Sequence, residues 1–217
     1  MQLQINHLTK TIKRATVLKD ISLTLESGKV YGLRGKNGSG KTMLMRCICG
    51  LIVPTGGSIL IDGEQLGKDI SFPRSVGALI ENPAFLSNYT GFKNLKILAS
   101  IQERIGDQQI KEAIAQVGLD PEDSRKYRKY SLGMKQRLGI AAAVMEQPDL
   151  VVLDEPINAL DEKGVDLVRE ILRGLKARGA LVIVACHDKE ELELLSDEIY
   201  TMEDGRITGH ETKGAEA

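Results

Sequence analysis

Gly35-Lys36-Asn37-Gly38-Ser39-Gly40-Lys41-Thr42 is the stretch from which the rest of this chain can be read. Its fixed positions spell GxxxxGK[ST], the phosphate loop called Walker A. It follows a short apolar run, Val30-Tyr31-Gly32-Leu33, and opens a helix-compatible one, Met43 to Ile48. Strand, loop and helix in that order are the setting in which the motif has chemical meaning. Glycines at Gly35, Gly38 and Gly40 let the backbone take conformations closed to other residues, so that N–H groups of the loop, those of Lys36, Asn37 and Ser39 included, turn inward around phosphate oxygens. The helix behind adds the positive end of its dipole. Lys41 is placed to reach β- and γ-phosphates, and the Thr42 hydroxyl to ligate Mg²⁺. A Gly-rich turn with a chance lysine is the bland alternative, and the presence of all four fixed positions in that setting disfavours it. A triphosphate site is expected here.

The 217 residues suffice for one sizeable α/β domain, or for a core with a small satellite. A net charge of −1 argues against a general nucleic-acid binder, so no nucleic-acid partner is expected. No run of about 18 apolar residues occurs, so no spanning helix is expected. Met1-Gln2-Leu3-Gln4-Ile5 alternates like a strand and lacks the basic-then-apolar layout of a signal peptide. Cys47, Cys49 and Cys186 have no metal-ligand spacing and sit in apolar runs, as reduced core residues of a cytosolic protein would.

Outward from the loop, the first thirty residues read as β structure, with Ile21, Leu23 and Leu25 alternating against Ser22, Thr24 and Glu26 before a Ser27-Gly28 turn. Pro54 to Gly57 is a break. Ser58 to Ile61 is a short strand ending in the hairpin signal Asp62-Gly63. From Gly91 to Glu146 the pattern is helical, interrupted by a polar, basic connection from Pro121 to Tyr130, with a helix starting near Ser131. Then strand and helix alternate. Leu150–Leu153 and Leu181–Ala185 are continuous apolar runs, as parallel strands covered on both faces require. Helices are expected over Glu162–Ala177 and Glu190–Leu195, a last strand near Glu198–Met202, and a polar, frayed tail from about Gly209.

Leu150-Val151-Val152-Leu153-Asp154-Glu155 is an apolar strand ending in two carboxylates, a Walker B element. Asp154 at the strand tip suits Mg²⁺, and Glu155 would orient or deprotonate a water for in-line attack. Either acid alone could simply cap the following turn. Their coincidence with Walker A makes that reading weaker.

Kinases, GTPases, helicases and transport ATPases share these two motifs. Tyr130-Ser131-Leu132-Gly133-Met134-Lys135-Gln136-Arg137 decides among them. It resembles the LSGGQxQR signature of ATP-binding-cassette (ABC) ATPases, with Ser131, Gly133 and Gln136-Arg137 in matching positions. Asn158-Ala159-Leu160-Asp161 resembles the D-loop of that family, and His187, just after an expected strand, resembles its switch histidine. The resemblance runs from about Leu3 to Gly205 and is nearest to the short ATPase subunits of bacterial ABC-2-type exporters, including those for antimicrobial peptides and drugs.

The resemblance implies an α/β fold: a P-loop NTPase (RecA-like) core with an antiparallel β subdomain, residues 1–90 and 147–217, and an inserted α-helical signature subdomain, residues 91–146. It implies an ATPase using ATP and Mg²⁺. Lys41, Glu155 and His187 would serve catalysis, Thr42, Asp154 and Glu81 the metal, and Ser131, Gly133 and Asp161 the nucleotide. Two cassettes would sandwich the nucleotides, as a homodimer, each signature facing the other's phosphate loop. A separate membrane permease would dock near Glu81–Tyr89, where Phe85, Leu86 and Tyr89 stand in expected loop. The chain would lie peripherally on the cytoplasmic face of the cell membrane. Departures from the family pattern are Leu132 for the first signature glycine, Met134 for the usual glutamine, Glu81 at the Q-loop glutamine position, and Ile12 where an adenine-stacking aromatic is usual. The absence of an NKxD sequence disfavours a GTPase. The runner-up, a soluble cassette acting on ribosomes or nucleic acid, usually needs two cassettes or long coiled-coil insertions. A non-hydrolysing regulatory module conflicts with the retained Lys41, Asp154, Glu155 and His187. The run Arg125–Lys129 is read as a solvated loop in preference to a lipid or nucleic-acid contact.

Overall fold

The alternating N-terminal stretches pair as a hairpin, β1 (Gln2–Ile12) with β2 (Ala15–Glu26), in the computed structural model, which describes residues 1–213. The chain then enters β3 (Lys29–Arg34), the phosphate loop and α1 (Lys41–Ile48). It returns as β4 (Gly56–Ile61), which pairs antiparallel with β1. The two-residue β5 (Glu64–Gln65) folds back on β4 through Asp62-Gly63, both at positive φ, as the hairpin signal predicted. These strands make an antiparallel sheet in the order β2-β1-β4-β5.

β6 (Val76–Leu79) leads into three helices, α2 (Gly91–Ala99), α3 (Asp107–Gln116) and α4 (Leu132–Val144), with a 3-10 turn at Tyr127–Lys129 before the last. The βα alternation closes with β7 (Leu150–Asp154), α5 (Glu162–Ala177), β8 (Leu181–Ala185), α6 (Lys189–Leu195), β9 (Glu198–Glu203) and β10 (Arg206–Thr212). The second sheet runs β10-β9-β3-β8-β7-β6, parallel from β9 to β6 with β10 antiparallel on its edge. This is the expected mixed α/β architecture.

β7 and β8 are buried at every position, as their unbroken apolar runs required. Their alternate side chains serve two cores. Leu150, Val152, Leu181 and Ile183 pack with α1 and the antiparallel sheet, whereas Val151, Leu153, Val182 and Val184 pack with α4, α5 and the helices beyond. All three cysteines are buried and free, and burial pushes their thiols up, Cys49 to about 12.

The tail corrects an expectation. Residues from Gly209 to Thr212 are not frayed but belong to β10, paired with β9 through His210↔Tyr200 and Thr212↔Glu198. An edge strand is held by its backbone ladder and shows little apolar alternation, so its polar sequence hid it. The His210 ring stacks on Tyr200 at 4.3 Å and its Nε2 lies 2.8 Å from Glu198. The Asp204-Gly205 turn, with both residues at positive φ, was the available signal. The remainder of that expected tail, 214–217, lies outside the described residues.

Gly77 marks where β6 meets α4: a Cβ there would stand 1.7 Å from the Ala143 carbonyl oxygen. Gly174, exposed on α5, has nothing within 4 Å of that position. Gly77→Ala should therefore lower stability by about 1–3 kcal/mol or more, as an overpacked core does, and with it the thermal midpoint. Gly174→Ala should raise stability by about 0.5–1 kcal/mol. Calorimetric melting of both variants checks the contrast, and equal effects would refute it.

Candidate nucleotide-binding and catalytic site

The parallel register brings the site together. Leu33 of β3 and Asp154 of β7 both pair with Ala185 of β8, so the three strands end level. The loops that leave them carry Gly35–Gly40, Glu155 and Cys186-His187, and they converge on one cleft of about 690 Å³. Asn37 to Thr42, Glu81, Asp154, Glu155 and His187 line it. Ligands in open α/β sheets sit beyond the carboxyl ends of the strands for this reason.

The phosphate loop is built by two different uses of glycine. Gly38 and Gly40 have φ of 81° and 106°, where a side chain is strained. Gly35 has no such φ. A Cβ there would lie 2.4 Å from the Met202 carbonyl oxygen, so close approach to β9 demands glycine, not an unusual conformation. α1 begins at Gly40 with no side-chain cap and no acid in its first turn, whereas Thr90, Ser131, Asp161 and Asp188 cap α2, α4, α5 and α6. Its first N–H groups are thus left for an anion. Lys41 Nζ lies over the loop, donating to the carbonyls of Gly35 at 2.6 Å and Lys36 at 3.3 Å.

Thr42 Oγ1 donates to Asp154 Oδ2 at 2.7 Å, joining the two Walker elements. Glu155 follows at φ 50°, a left-handed backbone that a non-glycine residue adopts at a cost. Its N–H donates to Ala185 O, and its Oε2 accepts from the His187 N–H at 3.2 Å. His187 Nε2 stands 3.2 Å from Oε1 but off the hydrogen-bond line, so Oε1 is buried without a hydrogen-bond partner. Burial pushes the Glu155 carboxyl above the ordinary carboxylate value, with the His187 charge pulling the other way.

Gln136, part of the signature stretch, has a role the sequence did not disclose. Its buried Nε2 donates to the carbonyls of Glu155 at 2.8 Å and Pro156 at 3.3 Å, tying α4 to the strand end that carries the acids. Asn158 also reaches the cleft lining. Only its place beside Asp161 in the D-loop stretch signalled it.

Six sequence-derived residues lie outside the cleft lining: Gly35 and Lys36 at the head of the phosphate loop, and Ser131, Gly133, Asp161 and Ile12. Ser131 is exposed and caps α4 by accepting from Met134 N–H at 3.2 Å. Gly133 packs against Ala159, where a Cβ would meet the carbonyl oxygen at 2.8 Å. Asp161 caps α5 through Gly164 N–H and also takes a bond from Arg137. The Gly164 amide and then the guanidinium hold its carboxyl below the usual range. Ile12 is 40% exposed at the end of β1, while Val17 of β2 lines the cleft in its stead. Glu81 does line the cleft, at φ 62°, but its Oε1 is ion-paired with Arg46 of α1 at 2.7 Å and not joined to Thr42 and Asp154.

Comparison with known proteins agrees with this geometry. Residues 18–158 match the family model described as ABC transporter. An uncharacterized ABC transporter ATP-binding protein of Bacillus subtilis, YybJ, is 54% identical over 94% of both chains. The bacitracin transport ATP-binding protein BcrA of Enterococcus faecalis is 40% identical over 94% of this chain and 67% of its own. A solved ATP-binding subunit of an ABC transporter superposes with a TM-score of 0.87 at 26% identity, over 98% of this chain and 90% of that one. Two Walker elements joined at Thr42–Asp154, a level row of strand ends and a signature helix anchored to them thus have one explanation: the chain belongs to the ABC transporter family, as an ATP-binding and ATP-hydrolysing subunit.

Proposed function

We propose that two copies of this cassette close on ATP, the Ser131–Gly133 end of one α4 meeting the phosphate loop of the other, and that Glu155 is the base for hydrolysis. The observation that carries this reading is the division of the motifs. One chain gathers Thr42, Asp154, Glu155 and His187 on its own cleft and leaves Ser131 exposed outside it. A second copy would complete the site. Closure would rest on contacts that need the γ-phosphate, and hydrolysis would release them.

Within that site Lys41 would exchange its loop carbonyls for phosphate oxygens, and the free N–H groups of α1 would hold the β-phosphate. Mg²⁺ fits the donors beside it, because Thr42 Oγ1 and Asp154 Oδ2 are hard oxygens that already face each other at 2.7 Å. Bound there, it would supply neutralising charge to the phosphates. Glu81, held by Arg46, would stand at the rim of the site. Glu155 would take the proton of the attacking water, and His187, beside its carboxylate, would face the γ-phosphate. Base packing would be aliphatic, at Val17 and Ile12, without an aromatic ring.

The cassette would energise a separate membrane permease of an exporter, docking along Glu81–Tyr89. Leu86 and Tyr89 are 51% and 37% exposed there, while Phe85 turns inward, edge-on to Tyr127 at 5.3 Å. Leu51, Val53 and Phe72 are further exposed apolar side chains. No helix among the described residues is long and apolar enough to cross a membrane. A membrane partner and a place on the cytoplasmic face follow from this reading, as does the division into a core and a helical signature subdomain at 91–146. The name of the relative that acts in bacitracin transport supports transport over the ribosomal or nucleic-acid reading.

Glu155→Gln should keep ATP binding, cut hydrolysis by roughly 10²-fold or more, and shift the protein to a dimer on gel filtration with ATP. Unchanged turnover would remove Glu155 from the role of base. A base is active only when ionised. Because burial raises the Glu155 carboxyl, kcat should fall with decreasing pH at a higher pH than an ordinary glutamate would impose. A kcat–pH profile flat down to the usual carboxylate range would contradict this.

A further inference from the structure

Among the described residues, the buried side-chain polar atoms without a hydrogen-bond partner are Ser39 Oγ, Glu155 Oε1, Arg169 Nε and Ser196 Oγ. Ser39 and Glu155 line the nucleotide cleft. Arg169 and Ser196 line one other cavity, of about 520 Å³, between α5, the end of α6 and the start of β9. A buried polar group without a partner marks a place where the fold alone does not satisfy its hydrogen-bonding capacity. We infer that this second cavity is a binding site for a small organic anion with a phosphate or carboxylate head. It lies at the end of the sheet opposite the nucleotide, against Val30 at the start of β3.

The chemistry of the lining selects the ligand. Arg169, Arg173, Lys176 and Lys213 face the cavity, with Asp197 as the acid among the lining residues. Asp197 is fully engaged: Oδ1 accepts from Lys176 at 2.5 Å and Oδ2 from the Val30 N–H at 2.8 Å. Arg169 uses Nη1 on Asp166 and Nη2 on both oxygens of Glu191, which leaves only its Nε. Arg173 and Lys213 have no ion pair among the described residues. The exposed, unpaired groups around the cavity are therefore the cations Arg173 and Lys213, and they call for an acceptor-rich anion. A free guanidinium fork suits phosphate or carboxylate. Leu172, Leu194 and Leu195 supply an apolar wall for a ligand body, and the volume falls within the range of small-molecule sites, about 300–1,000 Å³.

Lys176 also complements the negative end of α5, in whose last turn it stands. That role explains neither the buried Arg169 Nε nor Lys213, which comes from the strand side of the cavity. The site is independent of the transport reading above, since no residue of the nucleotide cleft takes part.

The test titrates phenyl phosphate and, separately, phenylacetate into the Glu155→Gln protein already saturated with ATP, so that the nucleotide cleft is filled. Calorimetry should show further saturable binding of at least one of them, and the stronger identifies the head group. Benzyl alcohol, which has the ring without the charge, should bind at least tenfold more weakly. The Arg173→Ala/Lys213→Ala double variant should lose at least tenfold in affinity, and Leu194→Glu should lose binding as well. These side chains are exposed, so each variant should melt at the parent temperature. Absence of binding by both anions at millimolar concentration, or equal affinity in the double variant, would overturn the assignment.

Discussion

The level ending of three parallel strands is the constraint on which the rest of this molecule depends. Ala185 pairs with both Leu33 and Asp154, so β3, β8 and β7 release their loops at the same height. A slip of one residue in either ladder would turn the tip residues to the opposite faces of the sheet. The register is in turn held by burial. Every side chain of β7 and β8 except Asp154 lies inside one of two hydrophobic clusters, so no alternative pairing keeps both filled. Site geometry and core packing are here a single requirement.

Around that row, electrostatics divides the labour. The uncapped start of α1, Lys41 and the loop N–H groups provide positive potential for phosphates. Asp154 is drawn to the Thr42 hydroxyl, while its neighbour Glu155 is half-buried with an unpaired oxygen and a raised carboxyl. Adjacent carboxylates thus acquire different characters from their surroundings, one suited to metal, the other to a proton. Gln136 ties α4 to the backbone at this pair through the carbonyls of Glu155 and Pro156.

The second cavity follows the same logic at the other end of the sheet. Arg169 and Ser196, which carry unpaired buried atoms, line it as Ser39 and Glu155 line the nucleotide cleft. The walls come largely from α5 and α6, the helices that precede and follow β8 and the His187 turn.

What the sequence by itself determined was set by local chemistry. Glycine, lysine and threonine at fixed spacing, apolar runs ending in acids, and a serine that heads a helix have meanings that need no distant partner. From them the α/β fold, the phosphate loop, Walker B and the signature helix were legible. What only the tertiary structure decided were effects of close approach and pairing between remote segments. Gly35 is required by the carbonyl of Met202, Glu81 is claimed by Arg46, Gln136 reaches the carbonyl of Glu155, and polar β10 is a strand because β9 offers it an edge. None of these leaves a periodic mark in the chain, since each depends on a neighbour brought in by the register of the sheet.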